Sequence, residues 1–204
     1  MINRLVIFIL LIALIIFTKM LYATETNTKT NTNTEVFNSN NTHKSDANNI
    51  DHPALNKSNF KIVGKAKFSV LFWDIYESAL LTTSGNYPIT NQQHQLLFEI
   101  NYLKDISSNE LIKRTEQQWQ HIGIPANNYQ AYIPELKRLW PDISKGDTLS
   151  LIINNQHSVF YFNQQYLGII NDPVFGQRFI DIWLAKNTSQ PKLRLQLLGN
   201  TTDD

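Results

Sequence analysis

A cationic strand face is the first feature of this sequence with chemistry to offer. From Phe60 to Tyr76 the apolar residues alternate. Phe60, Ile62, Ala66, Phe68, Val70 and Phe72 share one face, and Lys61, Lys65, Lys67, Ser69, Leu71 and Trp73 share the other, because strand side chains project to opposite sides with period two. Lys65 and Lys67 therefore point the same way. If that face lines an apolar cavity, an ammonium there can hold a carboxylate or a phenolate; otherwise it is a solvated strand end. Other chemistry is sparse. His94, His121 and His157 are isolated in sequence, and His43 and His52 lie in a polar segment at a spacing unsuited to a metal. Asp74 and Glu77 are close, but near a strand end their carboxylates need not converge as a glycosidase pair must.

Composition removes whole classes of function. The 204 residues contain no cysteine, which excludes disulfides, thiolate zinc sites, iron–sulfur clusters and cysteine nucleophiles. The seven glycines are dispersed, and neither G-x-S-x-G nor H-E-x-x-H occurs, so phosphate loops, a nucleophile elbow and a zincin site are absent. A formal net charge of +1 gives no broad basic surface for nucleic acid. No metal, cofactor or nucleic-acid partner is expected. The hydrophobic content of 42% is ample for a core, and the four tryptophans are read as part of it.

The elements follow from periodicity. Residues 60–76 read as one long or bent strand with Gly64 at a bulge or bend, and residues 91–104 as a second strand with Leu96, Phe98, Ile100 and Tyr102 on one face. Ser107 and Glu110 have capping-box spacing ahead of a helix carrying Leu111, Ile112, Trp119 and Ile122, closed by Gly123 and Pro125. A second amphipathic stretch runs from Tyr129 to Trp140, with Pro134 marking a kink or a late start. A hairpin is expected from Thr148 to Asn163, continued by a short strand to Ile170. Asp172-Pro173 opens a helix with Val174, Phe175, Phe179, Ile182 and Trp183 as its apolar stripe, and a short last helix carries Leu193, Leu197 and Leu198. Antiparallel strands with helices grouped on one side make an α+β class.

Ahead of this domain, residues 1–23 read as an export signal. Arg4 precedes an unbroken apolar run of thirteen residues, 5–17, and Ala23 offers a cleavage site. The run is shorter than the roughly 20 residues of a spanning helix. A periplasmic location is expected, the alternative being an uncleaved inner-membrane anchor. Residues 24–59, rich in Thr and Asn, read as a disordered tether, and residues 60–200 as the domain.

Several segments in order resemble the bacterial chalcone isomerase-like domains. These are Val63-Gly64-Lys65-Ala66-Lys67 leading to Leu71-Phe72-Trp73-Asp74-Ile75-Tyr76, then Tyr102-Leu103-Lys104-Asp105-Ile106-Ser107, Lys145-Gly146-Asp147, Phe160-Tyr161-Phe162-Asn163 with Leu167-Gly168, and Phe179-Ile180-Asp181-Ile182-Trp183-Leu184. Thr188, Leu193-Arg194 and Leu197-Leu198-Gly199 complete the series. The resemblance implies an open-faced sandwich, a large antiparallel sheet packed by a helical layer with a ligand cleft between. The plant enzymes of that family close a chalcone to a flavanone, using cationic side chains for the phenolate and hydroxyls for the developing enolate. Another plant branch binds fatty acids without catalysis. Against the enzyme pattern, Leu71 stands where a threonine is expected and Ile106 where a tyrosine is expected, and only Lys65 or Lys67 replaces the arginine. Tyr102 offers a hydroxyl from a neighbouring position. The reading that follows is a non-catalytic binder of a small amphipathic or carboxylate ligand, such as a fatty acid, held by Lys65, Lys67 and Tyr102. The alternatives are an intramolecular lyase or isomerase, and a structural or partner-binding envelope protein.

Overall fold

Six strands, each hydrogen-bonded to its neighbours in sequence, make a single antiparallel sheet in the order β1 to β6. They are β1 (Lys61–Val70), β2 (Trp73–Thr82), β3 (Leu96–Tyr102), β4 (Thr148–Ile153), β5 (Ser158–Phe162) and β6 (Gln165–Ile170). Between β3 and β4 lie α1 (Ser108–His121), two single turns of 3-10 helix and α2 (Ile133–Leu139); α3 (Phe175–Leu184) and α4 (Pro191–Leu197) follow β6. The computed structural model describes residues 53–91 and 93–200. The proposed signal segment and most of the proposed tether lie outside the described residues.

The alternation of apolar residues explains the layering. One row across the sheet reads Leu80, Phe98, Leu151, Phe160 and Gly168, and these face the helices. Trp119, Leu136, Phe175, Phe179 and Leu197 join them in one buried cluster. Each such large side chain contributes roughly 1.5–3 kcal/mol when taken fully out of water. The opposite face carries a small cluster, Leu55, Leu81 and Leu97, to which no helix contributes. The architecture is the open-faced α+β sandwich expected.

Two boundaries differ from the sequence reading. Residues 60–76 are not one strand but a hairpin, in which Val70 pairs with Trp73 across Leu71 and Phe72. Leu71 takes the left-handed φ of 56° that such a turn demands. Turns of this kind are normally flagged by Gly, Asn or Asp; none stands here, so the apolar alternation runs on through the turn. The last residues of the segment read as a tether also pack on the sheet. Leu55 is buried and its N–H donates to the Gln164 carbonyl at 2.8 Å, while the Lys57 ammonium pairs with Glu99. An isolated leucine in a polar segment gives no periodic signal, although it finds Leu81 and Leu97 in space.

The capping expectations are met in part: α3 begins at Phe175 without a side-chain cap, and Val174, expected in its apolar stripe, is exposed. Ser107 Oγ accepts from the Glu110 N–H at 3.3 Å, whereas the Glu110 carboxylate turns to Arg114 at 2.8 Å instead of completing the box. Pro134 sits in the first turn of α2, so it marks a late start and no kink. Asp172 Oδ1 accepts from the Val174 N–H at 2.7 Å, just ahead of α3.

Candidate functional site

The helix-facing side of β1, β2 and β3 carries a row of aromatic rings near the β1–β2 turn. Phe68 pairs with Tyr76, and Tyr76 with Tyr102; their ring centroids lie 5.2 and 6.3 Å apart. From α3, Trp183 closes over the row. Its ring rests 4.7 Å from Phe98 and 5.4 Å from Phe179, and its indole N–H donates to the Tyr76 oxygen at 2.9 Å. Exposure is graded along the row: Tyr102 is buried, whereas Phe68, Tyr76 and Trp183 are partly exposed. Burial pushes the Tyr76 phenol up to about 12, partly opposed by the Trp183 N–H. Burial, with the neighbouring Tyr76, pushes Tyr102 higher still. Both phenols are therefore neutral at physiological pH. The Tyr76 oxygen accepts from Trp183, so its own proton remains free to donate. The row presents aromatic carbon beside the phenol proton of Tyr76; it supplies no base near neutral pH.

Of the three residues singled out by sequence, only Tyr102 lies in this row. Lys65 and Lys67 are exposed on the opposite face of β1, where Lys67 stands across from Glu77. The Lys67 ammonium is 3.1 Å from Asp74 Oδ2 and 3.5 Å from Glu77 Oε1, and Ser69 Oγ donates to Asp74 Oδ1 at 2.6 Å. The Ser69 hydroxyl, then Lys67, holds the Asp74 carboxyl below its ordinary value, and Asp74 raises Lys67. Lys67 is thus solvated and ion-paired, and strand alternation separates both lysines from Tyr102 by the thickness of the sheet. Leu71 sits in the turn, 68% exposed, outside the row. Ile106 bridges Ile143 through two backbone hydrogen bonds of 2.9 Å and brings no hydroxyl.

A second polar constellation went unseen in the sequence, because its members are about 40 residues apart and share no spacing. The Arg178 guanidinium donates to the Tyr132 oxygen and the Asn128 carbonyl, both at 2.9 Å, and the Tyr132 hydroxyl donates to Asp172 Oδ2 at 2.8 Å. The Trp119 indole N–H reaches the Arg178 carbonyl at 2.9 Å. The Val174 N–H, then Tyr132, lowers the Asp172 carboxyl. Arginine, tyrosine and carboxylate satisfy one another here, so the network fastens the segment before α2 to the start of α3. Farther along α3, burial raises the Asp181 carboxyl, which accepts from Gln177 at 2.7 Å. Among the described residues no three His, Cys, Asp or Glu side chains are grouped to hold a metal.

Comparison with known proteins agrees with this architecture. An uncharacterized protein of Haemophilus influenzae is 27% identical over 139 residues, 68% of each chain. The crystal structure of a fatty-acid binding protein of Arabidopsis thaliana superposes with a TM-score of 0.54 at 11% identity, covering 73% of this chain and 91% of that one; the likeness is one of fold. The chalcone isomerase-like family model matches residues 42–199, the whole of the sheet and its helices, and the chain belongs to that family.

Proposed function

We propose that this domain binds a small amphipathic ligand, a fatty acid or a similar carboxylate, without transforming it. The row Phe68, Tyr76, Tyr102 and Trp183 carries the reading. Its rings offer an apolar seat and its neutral phenols donate hydrogen bonds, yet no group in it takes up a proton near pH 7. A ligand would lay its chain against Phe68 and Trp183 and turn its head toward the hydroxyls of Tyr76 and Tyr102. The fatty-acid binding protein that shares the fold supports the ligand class. Lys65 and Lys67 have no part in this seat, since they face away from it.

The test is thermal unfolding of the full chain with and without oleate, together with mass spectrometry of small molecules released from the purified protein. A ligand at a hundred times its Kd stabilises by about 2.7 kcal/mol. A rise in Tm is expected, reduced in Tyr102→Phe and unchanged in Lys65→Ala. The chain should cyclise 2′-hydroxychalcone no faster than buffer does. No shift with oleate and no released lipid, or cyclisation lost in Tyr76→Phe, would overturn the reading.

A further inference from the structure

The β1–β2 turn exposes three consecutive large apolar residues. Leu71 is 68% exposed, Phe72 95% and Trp73 54%, and Leu71 holds a left-handed backbone, which favours glycine, asparagine or aspartate over leucine. Neither exposure nor strain stabilises the fold, so both call for a use outside it. The three side chains of this hairpin tip face solvent together, a disposition suited to entering a soft apolar phase. A cation beside the turn reinforces this: the Lys104 ammonium lies 4.1 Å from the centroid of the Trp73 ring. An amphipathic indole beside a flexible cation is the pairing found at the headgroup level of a bilayer.

The course of the chain supplies a second, independent argument. In an antiparallel meander the β1–β2, β3–β4 and β5–β6 connections share one end of the sheet. The segment leading into the domain docks at that same end, where the Leu55 N–H donates to the Gln164 carbonyl in the β5–β6 turn. Upstream in sequence stands the apolar run 5–17. The tip and the segment entering the domain thus share one end of the sheet.

We propose that Leu71, Phe72 and Trp73 insert into the surface of a phospholipid bilayer, with Lys104 at the phosphate level. The tip lies next to Phe68 and Tyr76, so docking would bring the aromatic row to the lipid, but the proposal requires no ligand in that row.

Trp73 itself reports the event. Trp119 and Trp140 are buried, so the part of the fluorescence that Trp73→Phe removes belongs to the tip. The full chain is mixed with phosphatidylcholine vesicles, with and without phosphatidylglycerol, some carrying brominated acyl chains. The Trp73 emission is expected to shift to the blue and to be quenched by bromine. Phe72→Asp should lower tip insertion roughly tenfold to a hundredfold, the equivalent of losing one buried phenylalanine. Leu71→Gly relieves the left-handed leucine, so it should weaken quenching while leaving Tm the same or higher. This separates insertion from folding. Chain retained on vesicles with Trp73 unquenched, whether the tip is then free or taken by a protein, would overturn the proposal. So would a blue shift that grows with protein concentration in the absence of lipid, which assigns the tip to a second copy, or quenching unaltered in both variants.

Discussion

Replacing Gly64 with alanine should dislodge α4 from β1. A Cβ at this position would lie 2.2 Å from the Gln196 carbonyl oxygen, 2.5 Å from that of Leu197 and 2.6 Å from the Leu197 carbonyl carbon. Ordinary contact is about 3.5 Å, so the helix has to retreat by roughly 1 Å. All three atoms are backbone, and no rotamer change moves them. Overpacking of this kind typically costs about 1–3 kcal/mol and sometimes more. Because the obstructing atoms are backbone, the cost falls at the upper end, about 3 kcal/mol; Gly→Ala recovers about 0.4–1 kcal/mol by stiffening the unfolded chain, which leaves a net loss of about 2–2.6 kcal/mol. For a domain of this size the loss corresponds to a fall in Tm of roughly 6–10 °C.

Gly168→Ala is the matched control. Its Cβ would meet Leu139 Cδ2 at 2.2 Å, with Cγ at an ordinary 3.4 Å, so the obstruction is the end of one side chain that can turn aside. A cost of about 1 kcal/mol is expected. Thermal unfolding followed by near-ultraviolet circular dichroism ranks the two. The Gly64 variant should also disturb Trp183, because Arg194 Nε on α4 donates to the Leu184 carbonyl at the end of α3, at 2.8 Å. A Gly64→Ala protein as stable as wild type, or more stable than Gly168→Ala, would refute the backbone-contact argument.

Two further outcomes concern the polar groups. Tyr132→Phe deletes the donor to Asp172 and the acceptor for Arg178, a loss of about 1.5–3 kcal/mol for bonds to charged partners. Asp172 titrates below its ordinary value in the fold, so its contribution is present above that ordinary value and lost as pH falls through the folded one; Tm against pH should show the variant's deficit shrinking in acid. Asp181 has the opposite sign. Burial raises its carboxyl, so its contribution is complete below the ordinary value of about 3.9 and declines as pH rises through the folded one. Asp181→Asn keeps an oxygen for Gln177 and should unfold at a higher temperature than wild type at pH 7, with the difference vanishing near pH 4; a variant less stable at pH 7 would sink the assignment.

Most of the fold was legible because burial writes a period into the sequence. The β4–β5 hairpin, α1 with its Ser107 cap, and the late start of α2 at Pro134 all carry local signals for local structure. The β1–β2 turn did not. Its residues Leu71 and Phe72 are those a strand interior would use, and only the pairing of Val70 with Trp73 shows the reversal. Missing that turn also hid β2 as a separate strand. A turn made of apolar residues is locally inconsistent with its own conformation, and departures of this kind concentrate where a protein serves something other than its stability.

The site illustrates the same limit from the other side. Period two correctly separated Lys65 and Lys67 from Phe68, but periodicity is silent on which face meets the helices. Hydropathy decides that question only when one face is plainly polar, and this strand has Leu71 and Trp73 in line with its lysines. The true turn removes the ambiguity. Once the chain reverses at Leu71, Tyr76 falls beside Phe68 and Tyr102 follows in the next strand, so the aromatic row is a consequence of the hairpin. Trp183 lies 107 residues from the Tyr76 oxygen it reaches, and no spacing rule joins them. What joins them is that α3 must bury Phe175 and Phe179 against Phe160; one helical turn beyond Phe179, that packing brings the indole over β2. The donor geometry of the site is thus set by core packing, which is why changes at Gly64 or along α3 should reach it without touching a single ring.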